Sequence, residues 1–223
     1  MSRLLILPRR KDYRGSQSPF LMINAVLFDM DGVLLESFEA WASLVDAAAR
    51  HFGHPSVTRE AFRAVYGQPT QVDVDHFFPD QTVGTVEAYY EAHFAEHAAA
   101  AEVMPGAADV LAALDVRGVP TAVITNTPSG LARQMLESAS LAPNAVVGGS
   151  DVPKAKPAPD MIFRACELLG VEPWDALVVG DSPYDKQAAA AAGAPFAGVG
   201  GIEGNFTLSD LHQVLDIVEG TFQ

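Results

Sequence analysis

The stretch Ala25-Val26-Leu27-Phe28-Asp29-Met30-Asp31-Gly32-Val33 sets the strongest limit on what this chain can fold into. A short apolar run ends in two carboxylates spaced by one residue, and Gly32 and a second apolar run follow at once. Such a run, closed by turn chemistry, reads as a buried strand of a parallel sheet. Carboxylates at its carboxyl end overlook the crevice where open α/β sheets bind ligands. Successive residues of an extended chain point to opposite sides, so Asp31 joins Asp29 at one centre only if the strand breaks. Gly32 permits that break. Asp-Gly is also an ordinary turn signal, and the stretch alone leaves a purely structural reading open.

The 223 residues suffice for one large domain, or for a core with a smaller second domain. Against 28 acidic residues stand 14 Lys and Arg, a formal net charge of −14. That balance argues against nucleic acid and anionic membranes as partners. The expected partner is a small molecule, and an anionic one needs a local cation or a metal ion to be held. The single cysteine, Cys166, lies in the apolar pattern from Met161 to Leu169 and reads as a packed core thiol. With no disulfide within the chain and no run long enough to span a membrane, a cytoplasmic location is expected. The sequence leaves monomer and homodimer open.

Residues 1–21 differ from the rest: Arg3, Arg9, Arg10, Lys11 and Arg14 face one acid, Asp12. The apolar run Leu4 to Leu7 is too short for a secretory core and precedes most of the basic residues, the reverse of secretory order. The segment reads as a disordered tail or an upstream start, with Met22 opening the folded part.

Five apolar runs are strand candidates: Ala25 to Phe28, Thr121 to Ile124, Ala145 to Val147, Ala176 to Val179, and Pro195 to Val199. Helical patterns at Gly106 to Arg117, Leu131 to Leu141, Pro159 to Leu169 and Tyr184 to Ala192 alternate with the last four, which means βαβ units and a parallel sheet. A last amphipathic stretch runs from Leu208 to Val218. The first two strand runs are separated by an interval that reads as helices throughout: Glu36 to Phe52, Arg59 to Val65, Gln71 to Phe78 and Val83 to Ala100. The expected architecture is therefore an α/β, Rossmann-like parallel-sheet core formed by residues 22–34 and 102–223, with an all-helical cap, residues 35–101, inserted after the first strand.

Three strand runs end in polar residues at the same place: Asp29, Thr125-Asn126, and Gly180-Asp181-Ser182. In a parallel sheet these ends share one rim, to which the loop after the third strand adds Lys154 and Lys156. The rim then gathers Asp29, Asp31, Asp181, Asp185, a hydroxyl and an ammonium. Carboxylates so crowded repel unless a cation sits among them, and hard oxygen ligands suit Mg²⁺. Thr125 and Lys156 would hold anionic oxygens, which implies a phosphate.

Asp29-Met-Asp31-Gly-Val, Ile-Thr125-Asn126, Lys156-Pro-Ala-Pro and Val-Val-Gly-Asp181-Ser-Pro-Tyr-Asp185 resemble, in order, the four motifs of the haloacid dehalogenase superfamily. The resemblance spans residues 23 to about 200 and is similar to phosphoglycolate phosphatases and β-phosphoglucomutase-like members with a helical cap. It implies that Asp29 attacks phosphorus and that Asp31 protonates the leaving oxygen, then deprotonates water. It also implies Mg²⁺ held by Asp29, the backbone carbonyl of Asp31 and Asp181, with Asp185 near it or reaching it through water, and Thr125, Asn126 and Lys156 on the phosphate oxygens. Lys154 is a nearby cation, but only Lys156 sits in the Lys-Pro pattern. Gln68 and Thr70, on the loop around Gly67-Gln68-Pro69-Thr70, are the expected cap contacts to the organic part of a phosphate monoester.

Within that family, members that cleave carbon–halogen bonds lack the second acid, whereas Asp31 is present. Members that cleave phosphonates use a cap lysine, whereas no lysine occurs from Asp12 to Pro153. Phosphosugar mutases use basic cap residues, and from Ala64 through Val116 this chain has neither Lys nor Arg, although Arg50, Arg59 and Arg63 remain on the cap. A phosphatase is the leading reading; a mutase and a non-catalytic phosphate-ligand binding protein are the alternatives. Glu36-Ser37 stands where relatives usually show Asp-Ser. His93-Phe-Ala-Glu96-His97 matches H-x-x-E-H, a short pattern that more often marks a shared solvated face than a zinc site. Asp73, Asp75, His76 and Asp80 are read together as a solvated acidic face of the cap. Trp41 and Tyr66 read as cap core with the option of leaning on the substrate.

Overall fold

A computed structural model describes residues 22–222. The expectation for residues 1–21 lies outside the described residues. In chain order the regular elements are β1 (Ala25–Phe28), β2 (Leu35–Glu36), α1 (Phe38–His51), α2 (Arg59–Arg63), α3 (Thr70–Phe77), α4 (Val83–His93) and β3 (Glu102–Val103). There follow α5 (Ala107–Val116), β4 (Thr121–Ile124), α6 (Ser129–Ser138), β5 (Ala145–Val147), α7 (Asp160–Leu169) and β6 (Ala176–Gly180). The chain closes with α8 (Pro183–Ala192), β7 (Phe196–Gly198), β8 (Phe206–Thr207) and α9 (Gln213–Glu219).

Six strands form one parallel sheet in the order β5-β4-β1-β6-β7-β8. Every residue of β1 is buried, and its alternation sends side chains to both faces. Val26 and Phe28 join the apolar cluster that holds Val110 and Leu114 of α5 and Val214 and Ile217 of α9. Ala25 and Leu27 join the opposite cluster, with Met161 and Ile162 of α7 and Ala188 and Ala189 of α8. Helices on both faces of a parallel sheet give the Rossmann-like three-layer core that the βαβ pattern implies. Cys166 lies buried in the second cluster, and burial pushes its thiol up to about 11.

From β1 the chain proceeds to β4 on one side, and from β6 to β7 on the other, so the order reverses between β1 and β6. The crevice over the carboxyl ends of those two strands is the ligand-binding position of open α/β sheets. The register pairs Phe28 with Val179, and the Asp29 N–H continues the ladder to the Val179 carbonyl at 2.8 Å. Asp29 and Asp181 thereby emerge side by side at the switch.

Between β1 and β4 the chain forms α1 to α4 and two short 3-10 turns, Phe94–Glu96 and Ala98–Ala100. Thr58 and Thr82 cap α2 and α4 by accepting from Ala61 and Thr85 N–H, each at 3.2 Å. The interval is not helical throughout. Leu35–Glu36 and Glu102–Val103 pair antiparallel, a two-stranded ribbon at the foot of the helical insertion. Two residues per strand are too few to leave a period-2 signature. The stretch from Val83 to Ala100 is also interrupted: α4 ends at His93.

Candidate active site

The strand break after Asp29 occurs where Gly32 takes φ +84°, a conformation that a side chain would strain. A Cβ there would also stand 2.0 Å from Asp181 Oδ2. Glycine thus does two things at once: it turns the chain and lets the Asp181 carboxylate approach the backbone.

Carboxylate oxygens of Asp29, Asp181 and Asp185 gather within 4.8 Å of one another. Lys156 enters this group from the loop between β5 and α7, buried to 2% exposure. Its Nζ lies 2.8 Å from Asp29 Oδ1 and 2.7 Å from Asp185 Oδ1, and donates to the Ile124 carbonyl at 3.0 Å. Asp185, fully buried, also caps α8, its Oδ2 accepting from Ser182 N–H and Oγ. Met30 N–H donates to Asp29 Oδ1 at 2.7 Å.

The electrostatics follow from this crowding. Burial, then the charge of Asp185, holds Asp29 well above the usual carboxylate range, against the pull of Lys156. Burial and Asp185 likewise push Asp181 up to about 6. Burial opposes the charge on Lys156, but Asp185 and Asp29 outweigh it and raise the ammonium above its ordinary value. Three carboxylates share one ammonium, and their hard oxygens are the donor set that a divalent metal ion takes. The residues fit such an ion.

Asp31 stands apart from the three. Its Oδ1 accepts from Ser37 Oγ and, at 3.0 Å, from Trp41 Nε1; its Oδ2 accepts from Thr125 Oγ1 at 3.3 Å and Thr127 Oγ1 at 3.0 Å. Two donors belong to the helical insertion and two to the rim of β4. Tyr66 Oη pairs with Ser37 Oγ at 2.8 Å, and burial, then the charge of Asp31, raises its phenol. Thr125 Oγ1 in turn accepts from Thr127 N–H at 3.1 Å.

Asn126 acts as a tie. Its Nδ2 donates to the Gly67 carbonyl at 2.9 Å and the Lys156 carbonyl at 3.2 Å, while its Oδ1 accepts from Lys156 N–H at 2.9 Å. Its amide therefore joins the insertion, the β4 rim and the lysine loop. Gln68 and Thr70 line the same cleft as Asp29, Asp31, Thr125 and Asn126. Lys154 is exposed, whereas Lys156 is buried.

Four residues that sequence reasoning missed or left as core belong to this site: Ser37, Trp41, Thr127 and Asp73. Thr127 follows Thr125 by two residues on the rim, a spacing that a closer reading of the Thr-Asn-Thr run would have used. Asp73 is not on a solvated face: it is 8% exposed and lines the cleft, while Asp75, His76 and Asp80 are exposed. The H-x-x-E-H pattern is dispersed, His93 pairing with Glu96 at 2.9 Å and His97 with Ser43 at 2.8 Å. Among the described residues, the one metal-competent cluster is that of Asp29, Asp181 and Asp185.

A parallel sheet presents three clustered carboxylates, a separately held Asp31 and a buried lysine at its switch point. Residues 26–199 match the haloacid dehalogenase-like hydrolase family, and the chain belongs to that family. It is similar to phosphoglycolate phosphatase 1 of Pseudomonas aeruginosa, 34% identical over 75% of this chain and 66% of that relative. It is equally similar to phosphoglycolate phosphatase of Rhodospirillum rubrum, 34% identical over 78% of each chain. Among solved structures, a subfamily IA hydrolase of the same superfamily from Geobacter sulfurreducens superposes with a TM-score of 0.67 at 27% identity, covering 88% of this chain and 96% of that one.

Proposed function

We propose that this chain hydrolyses small phosphate monoesters in two steps through Asp29. The observation that carries this reading is the buried Lys156 bridging Asp29 and Asp185 at the sheet switch, with Asp31 held separately by four donors. The names of the phosphoglycolate phosphatase relatives support the same class.

Residues 22–34 and 102–222 act as the catalytic core and residues 35–101 as the cap. Asp29, with Oδ1 fixed by Lys156 and Met30 N–H, attacks phosphorus; the ester P–O bond breaks and Asp31 delivers a proton to the departing oxygen. Asp31 then takes a proton from water as it attacks the aspartyl-phosphate, releasing inorganic phosphate and restoring Asp29. Lys156 holds positive charge beside the transferring group, and Asp185 keeps that ammonium in place. Asp29, Asp181, Asp185 and the Asp31 backbone would hold Mg²⁺, which supplies further positive charge for the phosphate oxygens. Thr125 and Asn126 shape the phosphate end through the rim, and Gln68 and Thr70 face the organic end. Thr127, Ser37 and Trp41 position Asp31.

The test is release of inorganic phosphate by the wild-type chain and by Asp29→Asn. The variant keeps the volume and loses the nucleophile, so turnover falls at least about a thousandfold. Turnover retained in a clean preparation removes Asp29 from the mechanism.

A further inference from the structure

The cleft has two walls of different character. The core wall carries Asp29, Asp31, Thr125 and Asn126, and the cap wall carries Asp73 on α3 and Tyr90 on α4. Asp73 is 8% exposed and Tyr90 is fully buried. Among the described residues Asp73 has a single hydrogen bond, from Tyr90 Oη to Oδ2 at 3.0 Å. An ionised carboxylate offers about four acceptor sites, so most of its capacity is unused.

No arginine of the cap completes it. Arg50 pairs with Asp46 at 3.1 Å, Arg59 with Glu39 at 2.6 Å, and the Arg63 guanidinium stacks on the Phe38 ring at 3.8 Å. His76, one turn along α3, is exposed and engages the Val72 carbonyl through Nδ1. The neighbouring helix carries a second acid outside the cleft lining, Glu87, which is half-buried, and burial raises its carboxyl. The cap wall therefore carries a buried acid with no paired Arg or Lys, opposite a core wall built for a phosphate.

A carboxylate taken out of water without a cation is costly, and it persists at a site where a ligand brings the missing charge. We propose that the organic part of the substrate carries a protonated amine, which pairs with Asp73 while the phosphate lies against Lys156. The inference rests on the phosphatase reading and names its substrate class. The cavity is small, about 40 Å³. A carboxylate at the same position, as in phosphoglycolate, would meet Asp73 as a like charge.

Three esters of equal length isolate the effect: 2-aminoethyl phosphate, 2-hydroxyethyl phosphate and phosphoglycolate, which end in an ammonium, a hydroxyl and a carboxylate. Phosphate release is measured at pH 8 under saturating Mg²⁺, with p-nitrophenyl phosphate alongside. The expected order of kcat/KM is ammonium, then hydroxyl, then carboxylate, with the first at least about tenfold above the second. In Asp73→Asn the ammonium-to-hydroxyl ratio falls to within about threefold of unity, the loss expected when one partner of a charge pair is neutralised. A ratio compares two substrates on one enzyme, so partial misfolding of the variant cancels. If Asp73 merely braces Tyr90, the ratio does not change, and that result overturns the inference. Carboxylate equal to or ahead of ammonium in the wild type overturns it as well, with the phosphatase reading intact. No release from any of the four esters overturns both.

Discussion

Neutralising Asp73 should stabilise the protein at alkaline pH while leaving it unchanged in acid. Burial pushes the Asp73 carboxyl from 3.8 up to about 7; the Tyr90 hydrogen bond and nearby His76 pull the other way without cancelling it. Below about pH 4 the carboxyl is protonated in both folded and unfolded chains and affects nothing. Between about pH 4 and 7 the unfolded chain has released its proton and the folded chain keeps it, so stability falls as pH rises. Above about pH 7 the loss is complete. A shift of about three pH units corresponds to about 4 kcal/mol as an upper figure. Asp73→Asn keeps an oxygen for the Tyr90 hydroxyl and has no charge to desolvate. Urea unfolding in metal-free buffer at pH 4, 6 and 8 should show the variant equal to wild type at pH 4 and about 3–4 kcal/mol more stable at pH 8. The difference curve cancels contributions from Asp29, Asp181 and every other common group. Parallel curves, or a variant less stable at pH 8, would refute the claim that this carboxylate is held in the cleft at a cost to stability.

The remaining expectations concern the core. Lys156→Met keeps the aliphatic stem but leaves Asp29 and Asp185 buried without their shared ammonium, and should cost about 3–5 kcal/mol by urea unfolding along with activity; a loss under about 1 kcal/mol would mean the pair carries little. Chelator should abolish phosphate release and Mg²⁺ restore it, with Ca²⁺ a poor substitute because its looser coordination spoils in-line geometry; full activity in excess chelator removes the metal ion from the reaction. A sugar monophosphate should exceed its bisphosphate in kcat/KM by at least about tenfold, since the second phosphate would face Asp73 and no cap cation; equal or better turnover of the bisphosphate favours the mutase reading.

The carboxylates of Asp29 and Asp181 were legible because each follows an apolar strand, and a parallel sheet puts all strand ends of one sense on one rim. Asp29, Thr125 and Asp181 needed no more than that. Lys156 needed the added fact that the loop after β5 returns to the same rim. The shell around Asp31 was not legible. Ser37 and Trp41 come from the insertion, Thr125 and Thr127 from a strand end far along the chain, and only the folded insertion brings the two pairs onto one carboxylate. The β2–β3 ribbon escaped for a different reason: two-residue strands carry no periodicity.

Asp73 shows where a cluster in sequence misleads. Counted with Asp75, His76 and Asp80, it reads as one member of a solvated acidic face. Helical geometry separates them. At about 100° per residue, Asp73 shares a face with Thr70, three residues earlier, and lies beside Val74, whereas Asp75 is turned about 200° away and His76, three residues on, sits at the outer edge of that face. The structure bears this out residue by residue: Thr70, Asp73 and Val74 are buried, and Asp75 and His76 are exposed. The period was therefore present in the sequence. What it could not supply was the far side of the cleft, because nothing local to α3 says that its buried face meets Tyr90 and the rim of β4. Nor does it say that Arg50, Arg59 and Arg63 of the insertion are engaged elsewhere. Among the described residues, a buried acid with no Arg or Lys paired to it is a property of the assembled fold.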